Sequence, residues 1–154
     1  MRRAHYVRKQ KSRDASRFKI GIVVSDFNSD ITHALLRGAL QTLAEWNVGK
    51  ENIMVKHVPG GFEIPFGCLQ LIRTDKPDAI IALGCVIKGE TKHDEYIANA
   101  AAQGIMSVSL KHHIPISFGV LTPNTLQQAK VRSRGKENKG IEAAVAALTM
   151  ALGQ

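Results

Sequence analysis

The segment DAIIALG at residues 78–84 decides the fold class, because it is apolar on both of the faces that a strand presents. Successive residues of a strand point to opposite faces of the sheet. An unbroken apolar run of this length therefore predicts a central parallel strand that is covered by helices on both sides. A polar loop follows, and then DEYIANAAAQGIMSVSLK at 94–111, which is predicted to be helical despite Gly104.

Strand and helix patterns alternate on both sides of this segment. The other predicted strands are FKIGIVV at 18–24, NIMVKHV at 52–58 and ISFGVL at 116–121. Helical spacing of apolar residues predicts the remaining helices at 31–47 (with Asp30 as N-cap), 63–73, 124–132 and 139–152. This order predicts an α/β fold of three α/β/α layers around a four-stranded parallel sheet with right-handed crossovers. A flavodoxin-like strand order, 2-1-3-4, suits so short a chain, although the alternation alone does not fix it.

Composition limits the class of protein further. The chain has 154 residues, 44% of them apolar, which is enough for one domain with a sizeable core. No apolar run approaches the ~18 residues of a membrane span, and no apolar segment of a secretory signal follows the basic N-terminus. The two cysteines, Cys68 and Cys85, exclude a disulfide scaffold and argue against a cysteine metal site. We therefore expect a cytoplasmic protein.

The net charge of +8 is concentrated at the N-terminus. Residues 1–19 contain eight basic residues and one acidic residue, so the remainder of the chain is nearly neutral. We expect residues 1–17 to form a basic, flexible tail and residues 18–154 to form a single domain. A second basic cluster, KVRSRGKENK at 130–139, contains no aromatic residue for base stacking. A small anionic ligand explains this cluster better than a polynucleotide does.

Ligands of open α/β sheets bind beyond the carboxyl ends of the strands, so the segments that follow the strands carry the functional signal. They are SDFNSD at 25–30, VPGGFEIP at 58–65, CVIKGETKHDEY at 85–96 and LTPNT at 121–125. Their aromatic, glycine, histidine and donor residues favour stacking of a flat heterocycle and binding of an anion. The usual signatures of zinc, dinucleotide, nucleoside-triphosphate and serine-hydrolase chemistry do not occur in the sequence.

Five segments, in order along the chain, resemble the lumazine synthase family. They are FN-x-x-I-T-x-x-LL-x-GA at 27–39, VPGGFEIP at 58–65, ALGCVIKGET-x-H at 82–93, FGVLT at 118–122 and NKG-x-EAA at 138–144. The resemblance covers residues 18–152 and implies a flavodoxin-like layer of four parallel strands. It also implies a transferase, 6,7-dimethyl-8-ribityllumazine synthase, that acts in the penultimate step of riboflavin biosynthesis. The reaction condenses 5-amino-6-(D-ribitylamino)uracil with 3,4-dihydroxy-2-butanone 4-phosphate, releases phosphate and water, and needs no metal or organic cofactor.

The resemblance implies two groups of substrate-binding residues. Phe27 would stack on the pyrimidine, backbone groups of the 86–88 segment would bind its edge, and Glu63 would accept bonds from ribityl hydroxyls. The pyrimidine and ribityl set is Phe27, Gly61, Phe62, Glu63, Val86, Ile87, Lys88 and Phe118, the last from a neighbouring subunit. The phosphate set is Gly89, Glu90, Thr91, Arg132 and Lys139. The sequence is short in the 132–138 region relative to the family, so Arg134 remains an alternative to Arg132.

His93 is the predicted general acid and base, because an imidazole can take and return a proton near neutral pH. By the same resemblance Glu142 would orient His93, so the implied catalytic residues are His93 and Glu142. The other histidines, His33, His57, His112 and His113, match no such segment and are interpreted as surface or helix-end residues.

Two other hypotheses remain at this stage. The chain could be a catalytically weak scaffold that forms a shell, since some relatives build icosahedral assemblies from pentamers, or the tail could bind nucleic acid. The resemblance implies a homo-oligomer with active sites between subunits, and it leaves pentamer, decamer and 60-subunit shell open. Membrane partners are not expected, and nucleic acid is disfavoured.

Overall fold

Four parallel strands form one sheet in the computed structural model, which describes residues 11–153. They are β1 (Ile20–Ser25), β2 (Ile53–Val58), β3 (Ala79–Cys85) and β4 (Ile116–Leu121). The spatial order is β2-β1-β3-β4, which confirms the 2-1-3-4 arrangement. Ser25 pairs with Val58, and Cys85 pairs with Leu121, so the strands end at a common edge. The segments that follow them are therefore brought together there.

Five helices form the two outer layers. They are α1 (Ser29–Glu45), α2 (Ile64–Asp75), α3 (His93–His112), α4 (Leu126–Arg132) and α5 (Lys139–Leu152). Helices α1 and α5 pack in one core cluster with one face of the sheet, whereas α2 and α3 belong to the cluster on the other face. The three-layer prediction is thus confirmed. Within residues 11–153, none of the helices combines the length and the apolar character that a bilayer crossing requires.

Strand β3 shows why the chain folds in layers. Ile81 and Leu83 pack in the α1/α5 cluster, whereas Ile80 and Ala82 pack in the α2/α3 cluster, and every residue of the strand is buried. Complete burial of an isoleucine or leucine side chain stabilises a fold by ~1.5–3 kcal/mol relative to exposure. The apolar run at 78–84 therefore requires a cover on both faces of the sheet.

Helix α1 begins two residues earlier than the sequence predicts. Its N-cap is Asn28, whose carbonyl accepts bonds from the Ile31 and Thr32 N–H groups at 2.9 and 3.1 Å. Asn28 has a φ of 59°, a left-handed conformation that asparagine tolerates better than most residues. Its side-chain amide donates to Cys85 O at 2.9 Å, which ties the loop after β1 to the end of β3. Asp30 lies in the first turn, so its prediction as the N-cap was wrong.

The residues just before β1 contact the domain. The Ala15 N–H donates to Trp46 O at 2.8 Å, and the Ala15 side chain is fully buried. The Asn52 side-chain amide donates to Ser16 O at 3.4 Å. The tail predicted for residues 1–17 falls, for residues 1–10, outside the described residues. Residues 11–17 directly precede β1. They therefore lie at the end of the sheet where the strands begin, opposite the loops that follow the strands.

Candidate functional site

The loops that follow β1, β2 and β3 enclose a cavity of about 520 Å³, here called the histidine pocket. It lies beyond the carboxyl ends of the parallel strands, where the sequence predicted a ligand site. Its lining includes Phe27, Asn28, Gly60, Gly61, Phe62, Glu63, Val86, Ile87, Gly89, Thr91, His93 and Asp94. One chain therefore brings together most of the residues expected to bind the pyrimidine and ribityl groups, together with the candidate acid and base. Lys88 and Glu90 do not line this cavity.

Two phenylalanine side chains, Phe27 and Phe62, line the pocket and are not part of the hydrophobic core. The Phe27 side chain is 71% exposed, and the Phe62 side chain is 61% exposed. A phenylalanine whose function is core packing would be largely buried. Both rings line the cavity and are exposed there, and exposed aromatic rings suit a flat ligand.

In the turn after β2, the Glu63 carboxylate follows a glycine, Gly61, whose backbone lies close to neighbouring side chains. Gly61–Glu63 form a single 3₁₀ turn that leads into α2. Gly61 is buried, and a Cβ atom there would lie 3.2 Å from Val86 and 3.3 Å from Ile97. A larger residue at Gly61 would push the turn away from β3 and α3. The glycine thus allows the turn in which Glu63 lines the pocket.

The backbone of Ile87 is the part of the 86–88 segment that faces the pocket. The Val86 and Lys88 N–H groups donate to Leu121 O and Pro123 O at 2.8 and 3.0 Å, on the β4 side. Peptide groups alternate in direction along an extended chain. Cys85, two residues before Ile87, accordingly directs its carbonyl to Asn28 on the opposite side. Of the three residues predicted to bind the pyrimidine edge, only Ile87 has this direction.

The start of α3 places His93 beside the backbone of residues 89–92. His93 is the first residue of the helix, and its N–H donates to Thr91 Oγ1 at 3.4 Å. The Gly89 N–H donates to the Asp94 carboxylate at 3.3 Å, so this amide already faces a negative charge. Free N–H groups and the dipole at a helix N-terminus favour anions. His93 therefore lies beside groups that suit a phosphate.

A second cavity, of about 490 Å³, lies beyond the end of β4 and is here called the arginine depression. Its lining includes Phe118, Thr122, Asn124, Gln128, Arg132, Lys139 and Glu142. The Arg132 guanidinium donates to Gln128 O at 3.1 Å at the end of α4. Within residues 11–153, the arginine depression shares no lining residue with the histidine pocket.

Glu142 lies apart from His93 within this chain. Its side chain is only 9% exposed and forms an ion pair with Lys139, one helical turn earlier in α5. Both residues line the arginine depression, whereas His93 lines the histidine pocket. The ionic partner that the structure gives Glu142 is thus Lys139, and the orientation of His93 by Glu142 stays a prediction.

Arg132 and Arg134 face different cavities. Arg132 lines the arginine depression together with Lys139. Arg134 lines a separate depression of about 360 Å³ with Arg37, Gln41 and Asn138. Of the two alternatives that the sequence left open, only Arg132 shares a cavity with the other expected phosphate cation.

Asn138 fixes the loop between these residues, and the sequence analysis assigned it no role. Its amide donates to Ala34 O and to Ser133 O, both at 2.9 Å, and its carbonyl oxygen accepts from the Gly140 N–H at 2.8 Å. Gly140 lies so close to α1 that a Cβ atom would be 2.0 Å from Leu35 O. Asn138 thus anchors the start of α5, and with it Lys139, to α1. The NKG pattern at 138–140 was its only sequence signal.

Four ionisable groups among the described residues have clearly shifted pKa values, and one of them is the exposed Asp14 carboxyl before β1, whose pKa is lowered by a hydrogen bond from the Ser16 N–H. A hydrogen bond from His57, followed by one from His33, lowers the pKa of the exposed Asp26 carboxyl below its ordinary value. Burial raises the pKa of the Cys85 thiol to about 11 and that of Cys68 to about 12. Both thiols are therefore protonated at neutral pH. Although Cys85 lines the histidine pocket, it is not suited to act as a nucleophile.

Comparison with known proteins agrees with this geometry. A family model described as 6,7-dimethyl-8-ribityllumazine synthase matches residues 17–153. The chain is 49% identical over 138 residues to the protein of that name from Parabacteroides distasonis, covering 89% of this chain and 86% of the relative. It is 47% identical over 133 residues to the one from Bacteroides fragilis, covering 86% of this chain and 93% of the relative. Identity to the protein from Porphyromonas gingivalis is 46% over 134 residues, covering 86% of this chain and 83% of the relative.

Proposed function

This chain belongs to the 6,7-dimethyl-8-ribityllumazine synthase family, and we propose that it condenses 5-amino-6-(D-ribitylamino)uracil with 3,4-dihydroxy-2-butanone 4-phosphate. The enzyme is a transferase of riboflavin biosynthesis. The observation that carries the proposal is the histidine pocket, in which two exposed aromatic rings and His93 meet at the N-terminus of α3. These parts suit a flat heterocycle, a proton-transfer reaction and a phosphate ester.

The pyrimidine binds between the aromatic rings and the end of β3. Phe27 stacks on the ring, and the backbone of Ile87 pairs with its polar edge. Glu63 accepts hydrogen bonds from the ribityl hydroxyls, because a carboxylate is a stronger acceptor than a neutral side chain. The exposure of Phe27 and the direction of the Ile87 peptide groups support these assignments.

The reaction consists of additions and eliminations that each move a proton. The exocyclic amine attacks the ketone carbonyl, and loss of water gives an imine. Phosphate then leaves, and the second nitrogen closes the ring with loss of water. His93 takes the proton released by the attacking amine and returns one to the departing oxygen. A positioned general acid and base of this kind contributes ~10²–10⁴-fold to the rate.

The cations that hold the substrate phosphate come from a second subunit. Arg132, Lys139 and Phe118 line the arginine depression, and none of them lines the histidine pocket of the same chain. We infer a homo-oligomer, a pentamer or an assembly of pentamers, in which the arginine depression of one subunit completes the histidine pocket of its neighbour. Glu142 reaches the neighbour's His93 in the same way and orients it.

Apolar side chains on the surface support this association. Helix α3 has only two buried residues, Ala101 and Ile105, and it exposes Tyr96, Met106 and Leu110. Met106 also lines a groove with Phe118 and Met150, between α3, β4 and α5. A surface of this kind typically packs against another chain.

The free state of Cys68 and Cys85 supports a location in the reducing cytoplasm.

Mixed assembly tests the proposal. A His93→Ala chain and an Arg132→Ala chain are unfolded, refolded together and assayed for lumazine formation, and light scattering establishes the assembly. Activity above that of either variant refolded alone is expected, because some sites then contain both residues. If mixed oligomers form and activity only averages the two variants, each site lies within one chain. If the unmodified chain assembles and shows no turnover, it is a scaffold and the enzymatic proposal is wrong.

A further inference from the structure

Asp26, His33 and His57 converge outside the histidine pocket. His57 Nδ1 lies 2.7 Å from Asp26 Oδ1, and His33 Nε2 lies 3.4 Å from the same oxygen. One ligand atom from each of the three side chains lies within 4.8 Å of the other two. The imidazole rings meet edge to face, with centroids 5.6 Å apart. Three groups that commonly bind metals therefore face one point.

Each of the three residues belongs to a different backbone segment, and these segments hold the side chains near one another. The Asp26 N–H donates to Val58 O at 2.8 Å, so the carboxylate is held beside the residue that follows His57. His57 itself lies in β2 and pairs with Val24 of β1. His33 lies in the first part of α1. Ligands on rigid elements need little rearrangement to bind an ion, which favours affinity.

We propose that Asp26, His33 and His57 form a binding site for a divalent transition-metal ion such as Zn²⁺. Two imidazoles and one carboxylate suit zinc and its neighbours better than magnesium or calcium, which prefer oxygen ligands. On binding, the ion replaces the protons that now lie between the histidines and Asp26 Oδ1. The nitrogen and oxygen ligands then move to ~2.0–2.2 Å from the ion.

The site is open to water. The side chains of Asp26, His33 and His57 are 52%, 42% and 47% exposed, so solvent completes the coordination of the ion. Because Asp26 directly precedes Phe27, a bound ion would fasten the loop after β1 to both β2 and α1. None of the three ligands lines the histidine pocket, so the proposal does not depend on the catalytic one.

Titration of the full chain with metal ions tests the site. Chelator-treated protein is titrated with Zn²⁺ in a calorimeter and with Co²⁺ by visible absorption. One ion per chain is expected to bind to the unmodified protein. His33→Gln and His57→Gln should each weaken binding by about tenfold or more, because each removes one ligand. A His112→Gln, His113→Gln double variant controls for the other exposed histidine pair and should bind as the unmodified chain does.

A second measurement is independent of the variants. Side-chain nitrogen NMR of the histidines during the Zn²⁺ titration should shift the resonances of His33 and His57, while those of His93, His112 and His113 remain unchanged. The proposal is wrong if the chain binds no Co²⁺ at about 1 mM. It is also wrong if both single variants keep the affinity of the unmodified protein, or if the zinc-dependent shifts occur at His112 and His113 instead.

Discussion

The histidine pocket and the arginine depression both lie near the carboxyl ends of the strands, yet they are lined by different types of side chain. The pocket rests on the ends of β1, β2 and β3, and two phenylalanine rings and the start of a helix surround it. The depression rests on the edge strand β4 and on the loop before α5. Among the described residues, the lining of the pocket includes no lysine or arginine, and the lining of the depression includes no histidine.

This difference indicates why one chain is not enough for the proposed reaction. Proton transfer needs the imidazole of the pocket, whereas the phosphate ester needs the fixed cations of the depression. A cleft at the open end of a sheet buries a small polar substrate poorly, and an interface between two chains buries it more completely. The separation of the two chemistries within a chain is thus the structural basis for proposing a shared site.

The largest expected effect tests the chemical role of the pocket. His93→Ala should lower kcat by about 10²-fold and leave the KM of the pyrimidine nearly unchanged, because it removes proton transfer but not stacking. Spontaneous condensation of the bound substrates sets the residual rate. Steady-state assays over a pH series measure both constants. His112→Ala, at the other end of α3, is the matched control and should retain full activity. An unchanged kcat for His93→Ala at every pH would remove His93 from the mechanism.

The next effect tests the binding role of the depression. Arg132→Ala should raise the KM of the phosphorylated ketone by about tenfold or more and change that of the pyrimidine much less. A charge-assisted hydrogen bond contributes ~1.5–3 kcal/mol, which accounts for a change of this size. Arg134→Ala is the control, since Arg134 lines a different cavity, and it should alter neither constant by more than about twofold. A larger effect of Arg134→Ala would reverse the assignment of the phosphate-binding arginine.

The layers of the fold could be predicted from the sequence because strand and helix patterns are local. The predicted strand at 78–84 is observed as Ala79–Cys85, and the helix at 139–152 is observed with those bounds. The cavity that a side chain lines depends on strand order and on contacts between distant segments. Glu142, for example, lines the arginine depression and forms an ion pair with Lys139, and no local pattern in the sequence indicates which cavity its side chain lines.

Residues that act through distant backbone partners were the hardest to predict. Asn28 caps α1 and also reaches Cys85, 57 positions later, and Asn138 reaches Ala34 across 104 positions. Asp26 and His57 are 31 positions apart and meet only because β1 and β2 are neighbours. No local pattern in the sequence encodes these pairs.

The smallest expected effect concerns a third region, which lies away from both cavities. Ala15 is buried against the domain, and its N–H donates to Trp46 O beyond the end of α1. The Arg13 guanidinium lies 5.8 Å from the centre of the Trp46 ring. Deletion of residues 1–17 should therefore lower the free energy of unfolding by about 1–2 kcal/mol, through loss of a small buried side chain and of the hydrogen bonds that join Ala15 to Trp46 and Ser16 to Asn52. For a chain of this size, that corresponds to a fall in Tm of about 2–4 °C per kcal/mol.

Deletion of residues 1–13 is the matched control, because it keeps the Ala15 contacts and removes most of the basic charge. Its Tm should fall by only about 1–4 °C, less than that of the chain without residues 1–17, since an exposed cation–π contact such as that of Arg13 contributes only ~0.5–1 kcal/mol. Thermal unfolding at one fixed protein concentration keeps any effect of association constant between samples. Both truncated chains should retain kcat and both KM values, because the contacts of residues 14–18 lie at the edge of the sheet opposite the two cavities. A loss of activity at unchanged Tm would instead place the N-terminal segment at the active site, and the division between pocket and depression would then be incomplete.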